Sequence, residues 1–213
     1  QMGKSYFTIA QHAQIEINEK KSRFLAFAYC VEKEEQVSDI LEEIRAKYRD
    51  ATHVVYAYQM GKNCEFQRSN DDGEPAGTAG RPVLEAIKKE NLQDVLVIVV
   101  RYFGGILLGA GGLTRAYGKA AKMAIDAAGI VHKIPACVMS LTMAYPLWGK
   151  VETYLQQHQI TCLNSSFTDQ VSVICAVPES TLVTMQNDLQ QIGNGQIHWL
   201  NLQEEHYISQ KVE

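Results

Sequence analysis

Apolar residues alternate with polar ones, or run together as β-formers, over residues 13–17, 24–31, 52–60 and 95–103. Successive side chains on an extended chain point to opposite faces, so this pattern predicts four strands. Between Glu34 and Tyr48 the period changes: Val37, Ile40, Leu41, Ile44 and Tyr48 recur at three- and four-residue steps and share one face of a predicted helix. A second helix is expected to begin near Pro82, a residue suited to a first turn, with Val83, Leu84 and Ile87 turned inward. A third is expected from near Thr114. The pattern then breaks over residues 129–135, where Gly129 reads as a helix stop and Pro135 as a linker residue. A new cycle follows: strand 137–145, helix 146–157, strands 160–166 and 171–177, helix 179–192, strand 196–202. The order βαββαβ is the ferredoxin-like one. The expected fold class is α+β, with one domain over residues 1–133 and a ferredoxin-like second over 134–213.

Charge divides along the same line. Residues 1–133 hold 18 Lys and Arg against 17 Asp and Glu, a net of +1, whereas residues 134–213 hold 2 against 7, a net of −5. The first part is therefore the better candidate for contacting a polyanion. No uninterrupted apolar run approaches ~18 residues and no signal-like segment opens the chain, so no membrane partner is expected and the location is expected to be cytoplasmic. Gln1 ahead of Met2 reads as a remnant before the natural start. Five cysteines, at positions 30, 64, 137, 162 and 175, form no CxxC pair and read as core thiols rather than as a disulfide framework or zinc site. No HExxH or similar histidine spacing occurs, and neither a metal nor a cofactor is indicated.

The most informative segment is residues 94–129. Here a buried strand runs into a glycine-rich turn and then into an alanine-rich helix. First-turn amides of a helix have no intrahelical partner, and the macrodipole favours an anion beside them. Gly104, Gly105, Gly109, Gly111 and Gly112 carry no Cβ and permit close approach of a ligand to the backbone. Arg115, Lys119 and Lys122 follow at i, i+4 and i+7, on one side of the helix. Two phosphate fingerprints fail: Thr114 stands where a dinucleotide-binding GxGxxG needs its last Gly, and no GKS or GKT triplet completes a P-loop. What remains is a generic anion cradle. Around it Lys20, Lys21, Arg23, Arg81, Arg101 and Tyr102 form the wider candidate set, because basic groups beside exposed aromatics track a nucleic-acid backbone and stack unpaired bases. The competing reading gives these cations to a solvated helix face and places Tyr102 or Phe103 in the core.

Residues 68–82 form a long predicted loop rich in turn formers, with Asp71, Asp72 and Glu74 as an acidic cluster of unassigned role. Hard-cation spacing is absent, so these carboxylates are expected to cap amides or to pair with cations such as Arg81 and Arg101. No GxSxG elbow occurs, and His53, alternating with Val54 and Val55, reads as a structurally satisfied histidine. Catalytic residues are not indicated.

The segments KKSRF, SNDDGEPAGTAGRP and RYFGGILLGAGGLTRAYGKA, in that order, closely resemble the IMPACT family in its bacterial, YigZ-like two-domain form, and the resemblance extends over essentially the full length. It implies a first domain similar to the second domain of a small-subunit ribosomal protein and to domain IV of elongation factor G. It implies a second domain similar to domain V of that factor. The resulting expectation is a non-enzymatic binder of RNA or ribosomal components that modulates translation, with a translation-regulatory protein as a further partner. The alternative is an enzyme or binder of a small phosphorylated ligand or nucleotide at the glycine turn.

Overall fold

The computed structural model describes residues 3–212; Gln1 and Met2, and with them the remnant reading of the N-terminus, lie outside the described residues, as does Glu213. The chain divides into two compact units, one built on Tyr6–His132 and the other on Lys133–Gln210.

The first unit runs β1 (Tyr6–Ile9), β2 (Ala13–Glu19), β3 (Ser22–Cys30), α1 (Glu34–Lys47), β4 (His53–Met60), β5 (Phe66–Asn70), α2 (Gly80–Lys89), β6 (Val95–Tyr102) and α3 (Gly109–Ala128). Its sheet has the order β2-β3-β6-β4-β5, with every neighbouring pair antiparallel. The central strand β6 is an unbroken apolar run because both of its faces are covered. Val95, Val97 and Val99 pack under α2 and α3, whereas Leu96, Ile98 and Val100 pack under α1. Fully burying each such side chain is worth about 1.5–3 kcal/mol. Small residues let α3 lie close to the sheet: Ala26 and Ala28 of β3 below it share a core with Ala116, Ala120 and Ala124 above.

Besides β1, which has no counterpart in the sequence-based reading, one further strand and two helix starts depart from expectation. Strand β5 takes the first residues of the predicted loop; all five of its positions are exposed, so it carries no apolar alternation to be read. Helix α2 starts at Gly80, where a Cβ would press on the Asn70 backbone of β5. Helix α3 starts at Gly109 rather than near Thr114, taking the glycine-rich segment into its first turn. Tertiary packing of the helix overrides the poor propensity of those glycines.

The second unit contains most of β7 (Ile130–Met143), then α4 (Tyr145–Gln157), β8 (Thr161–Phe167), β9 (Val171–Pro178), a short 3-10 turn, α5 (Leu182–Gly193) and β10 (His198–Lys211). Strands β1 and β10 both pair with β7, and the strands of this unit follow in the order β10-β7-β9-β8. Met139, Leu141, Val173, Cys175 and Leu189 belong to its core. No break occurs at Pro135: β7 runs through it, and its pairing with β9 begins one residue later, at Ala136, so the missing N–H interrupts no bond of that ladder. Among the described residues no disulfide joins two cysteines, and the core-thiol expectation fits Cys175, whose thiol is pushed up to about 12 by burial and by Cys162. Cys30 and Cys162 are exposed instead.

Candidate functional site

Beneath the glycine turn lies a buried polar cluster built by strand register. Arg101 on β6 stands opposite Phe24 on β3 and opposite His53 on β4. All three side chains belong to the sheet face covered by α2 and α3, because Arg101 keeps the parity of Val97 and Val99. Arg101 is only 4% exposed. Its guanidinium lies 5.5 Å from the centre of the Phe24 ring and 5.6 Å from that of Phe103. Nη1 donates to Glu74 Oε1 at 2.5 Å and Nη2 donates to Ser22 Oγ at 3.2 Å, while Nε has no hydrogen-bond partner among the described residues. Tyr117 on α3 donates its hydroxyl to the same Glu74 oxygen at 2.7 Å. Burial, reinforced by that carboxylate, holds the Tyr117 phenol far above its ordinary range, so it acts as a donor throughout physiological pH. His53 Nδ1 lies 2.7 Å from the Asp72 carbonyl, which can only accept, so the proton sits on Nδ1 and Nε2 faces Glu74 Oε1 at 3.5 Å.

The acidic residues of the loop thus have separate positions and partners. Glu74 is the buried counter-ion. Asp72 accepts the Val54 amide at 2.7 Å through its carboxylate. Asp71 accepts amides from Gly77, Ala79 and Gly80, so it caps the start of α2. Burial pushes the Asp71 carboxyl up, but those three amides outweigh it and hold the group below its ordinary 3.8. Among the described residues no group of three or more His, Cys, Asp or Glu is placed to hold a metal ion.

The cluster also positions the glycine turn. Ser22 Oγ accepts the Gly104 amide at 3.3 Å, and a Cβ at Gly104 would collide with the Lys21 carbonyl, so the glycine lets two turns touch. The second of these is the β2–β3 hairpin turn, whose central residues Lys20 and Lys21 both take positive φ, 44° and 67°. A two-residue hairpin needs that geometry and normally meets it with Asn or Gly; two lysines there carry backbone strain of about 1–3 kcal/mol each. Beyond Gly104 the chain is open. Gly105, Gly109 and Gly111 are exposed, Gly112 is half-buried, and Leu107 is 81% exposed. The N-cap residue of α3, Leu108, supplies no side-chain capping bond to its first turn. Arg115 folds back over that turn, its guanidinium 3.3 Å from where a Gly111 Cβ would sit.

The structure therefore sets the Lys20–Lys21 turn against the glycine turn at Gly104, leaves Gly105, Gly109 and Gly111 exposed with Gly112 half-buried, and folds Arg115 over the start of α3; other candidates are occupied chemically. Arg101 is a buried structural cation and presents no charge to solvent. The Gly104 amide is already taken by Ser22. Lys119 is paired with Glu19 at 3.1 Å and Lys122 with Asp126 at 2.6 Å, so two of the three cations along α3 face carboxylates. Arg23 pairs with Glu16 at 2.8 Å and lies 5.4 Å from the centre of the Tyr102 ring, whose hydroxyl donates to Asp50. Arg81 is exposed in the first turn of α2. The sequence-based set omits Ser22 and Tyr117 and reads His53 as merely satisfied. The available signal was parity: a charged residue in step with buried Val97 and Val99 demands buried partners.

Comparisons with known proteins agree with this architecture. The Impact N-terminal domain profile matches residues 20–125, and a Domain of unknown function (DUF1949) matches residues 141–196. The IMPACT family member YvyE of Bacillus subtilis is 37% identical over 90% of this chain and 88% of its own length. The IMPACT family member YigZ of Escherichia coli is 32% identical over 87% of this chain and 92% of its own. Protein IMPACT of Oryctolagus cuniculus is 39% identical over 45% of this chain and 31% of its own length. A crystal structure of a hypothetical protein, 30% identical, superposes with a TM-score of 0.58 over 94% of this chain and 98% of that one. The chain belongs to the IMPACT family.

Proposed function

We propose that this protein is a non-enzymatic binder of RNA or ribosomal components that modulates translation, and that the phosphate backbone lies across the hairpin turn of Lys20 and Lys21 and the glycine turn opening α3. The observation that carries this reading is the strained placement of two lysines against the glycine turn at Gly104 that leads into α3. Strain retained where Asn or Gly is cheaper is most readily explained by what the ammonium groups contact. Neutralised phosphates release counter-ions, so affinity for single-stranded RNA should fall steeply and linearly on a log–log salt plot. Exchanging Lys20, Lys21 and Arg115 together for Glu should weaken binding and flatten that slope while the melting temperature holds. Unchanged affinity in this triple variant sinks the reading. A fold-level likeness to translation proteins supports it: the second unit's order β10-β7-β9-β8 with two helices suits a ferredoxin-like, elongation-factor domain V type, and the first unit's antiparallel sheet with helices on both faces suits the domain IV type.

One observation favours a second reading. With Lys119 and Lys122 paired, the open cation beside the α3 amides is Arg115, an arrangement sized for one phosphate rather than a backbone. Under that reading nucleotides or sugar phosphates raise the melting temperature, and about 100 times Kd stabilises by ~2.7 kcal/mol.

A further inference from the structure

An edge strand exposes unpaired N–H and C=O groups, and soluble proteins blunt such edges with charge, proline or cover. The edges of this molecule differ sharply in that respect. Strand β2 carries Glu16 and Glu19, β5 carries Arg68, and β10 carries Glu204, Glu205 and Lys211. Strand β1 is uncharged but half-covered, with Thr8 and Ile9 buried. Strand β8, Thr-Cys-Leu-Asn-Ser-Ser-Phe, has no charge, no proline and no glycine, and all seven residues are exposed. It contributes nothing to the core cluster of its unit, although the β9 residues opposite it, Val171, Val173 and Cys175, are fully buried. Phe167 is 52% and Leu163 43% exposed. One irregularity, a register shift between Cys162 and Asn164, leaves residues 164–167 in regular register with β9, and the exposed Asn164 side chain that accepts the Ser165 amide at 2.9 Å must swing aside for a further strand to pair there.

We propose that β8 pairs antiparallel with β8 of a second copy of this chain about a two-fold axis, joining two sheets into one and covering Phe167. A second copy fits this edge by self-complementarity. A strand with no charge meets its own image without placing like charges opposite one another, whereas β2, β5 and β10 would not. The surrounding unit sets the salt dependence. Residues 133–210 hold 2 basic against 6 acidic side chains, a net of −4, so two copies repel at long range and association strengthens as salt screens them. A basic foreign partner gives the opposite trend.

The test is sedimentation velocity of the full chain from low- to high-micromolar concentration, in low and high salt. The expected result is a weight-average mass rising towards twice the 23.8 kDa chain, more so in high salt. Ser165→Lys sets two ammonium groups close together across the axis and should return the monomer with wild-type circular dichroism; Gln67→Lys on β5 should leave the dimer intact. Should the lysine variant fail to fold, Ser165→Cys in a Cys162→Ser background supplies the second reading: oxidation should yield a covalent dimer whose linkage maps to position 165. A wild-type monomer at the highest concentration, a folded Ser165→Lys dimer, or no linkage at position 165 overturns the proposal.

Discussion

The buried cluster under the glycine turn and the cationic face of α3 are made of the same ingredients, acids facing bases at 2.5 to 3.1 Å, yet they have opposite consequences. Arg101 and Glu74 expose 5% and 3% of their side chains; Lys119 and Glu19 expose 57% and 38%. In the interior an unpaired charge is costly, so each member depends on the other and on Tyr117, Ser22 and His53. On the surface water competes with every contact, and the pairs can open towards a phosphate at little cost. Burial, more than distance, sorts structural ions from those free to bind.

The contrast can be broken from its strongest side first. Glu74→Ala strands Arg101 without its counter-ion, and urea denaturation should show a loss of about 3–5 kcal/mol; a loss below about 1 kcal/mol means the cluster does not hold the loop. Asp71→Ala removes the α2 cap, with an expected cost of about 1 kcal/mol. Its pH signature follows from the depressed carboxyl: the contribution is complete above the ordinary value of 3.8 and is lost as pH falls through the lower folded value. Wild type should therefore approach the variant's stability on acidification below that point, and a gap that stays constant there removes Asp71 as the cap. The smallest effect belongs to the surface. Lys119→Ala should move the melting temperature by less than about 4 °C, and by clearly less than Asp71→Ala.

The sequence made the layers legible where burial left a period to read. The apolar run ending at Val100, the amphipathic face of α1 and the βαββαβ order all follow from alternation. Strand β5 escaped because exposure on every position erases the period, and the true start of α3 escaped because glycine signals a turn more strongly than a helix. The site divided similarly. The glycine turn and Arg115 were visible as local composition, and a Glu74 contact with Arg101 was among the pairings expected. The pairing of Lys119 with Glu19 was not visible, since it joins residues a hundred positions apart. Lys20 and Lys21 were visible as charge, but their strain is a property of backbone geometry alone.

The most direct measurement is amide chemical-shift mapping of the labelled protein titrated with single-stranded RNA. The account predicts that Lys20, Lys21, Gly105, Gly109, Gly111, Gly112 and Arg115 shift together and saturably, while the amides of His53, Glu74 and Tyr117 follow only weakly. Saturable shifts confined to residues outside the two turns, or none at all, would contradict it.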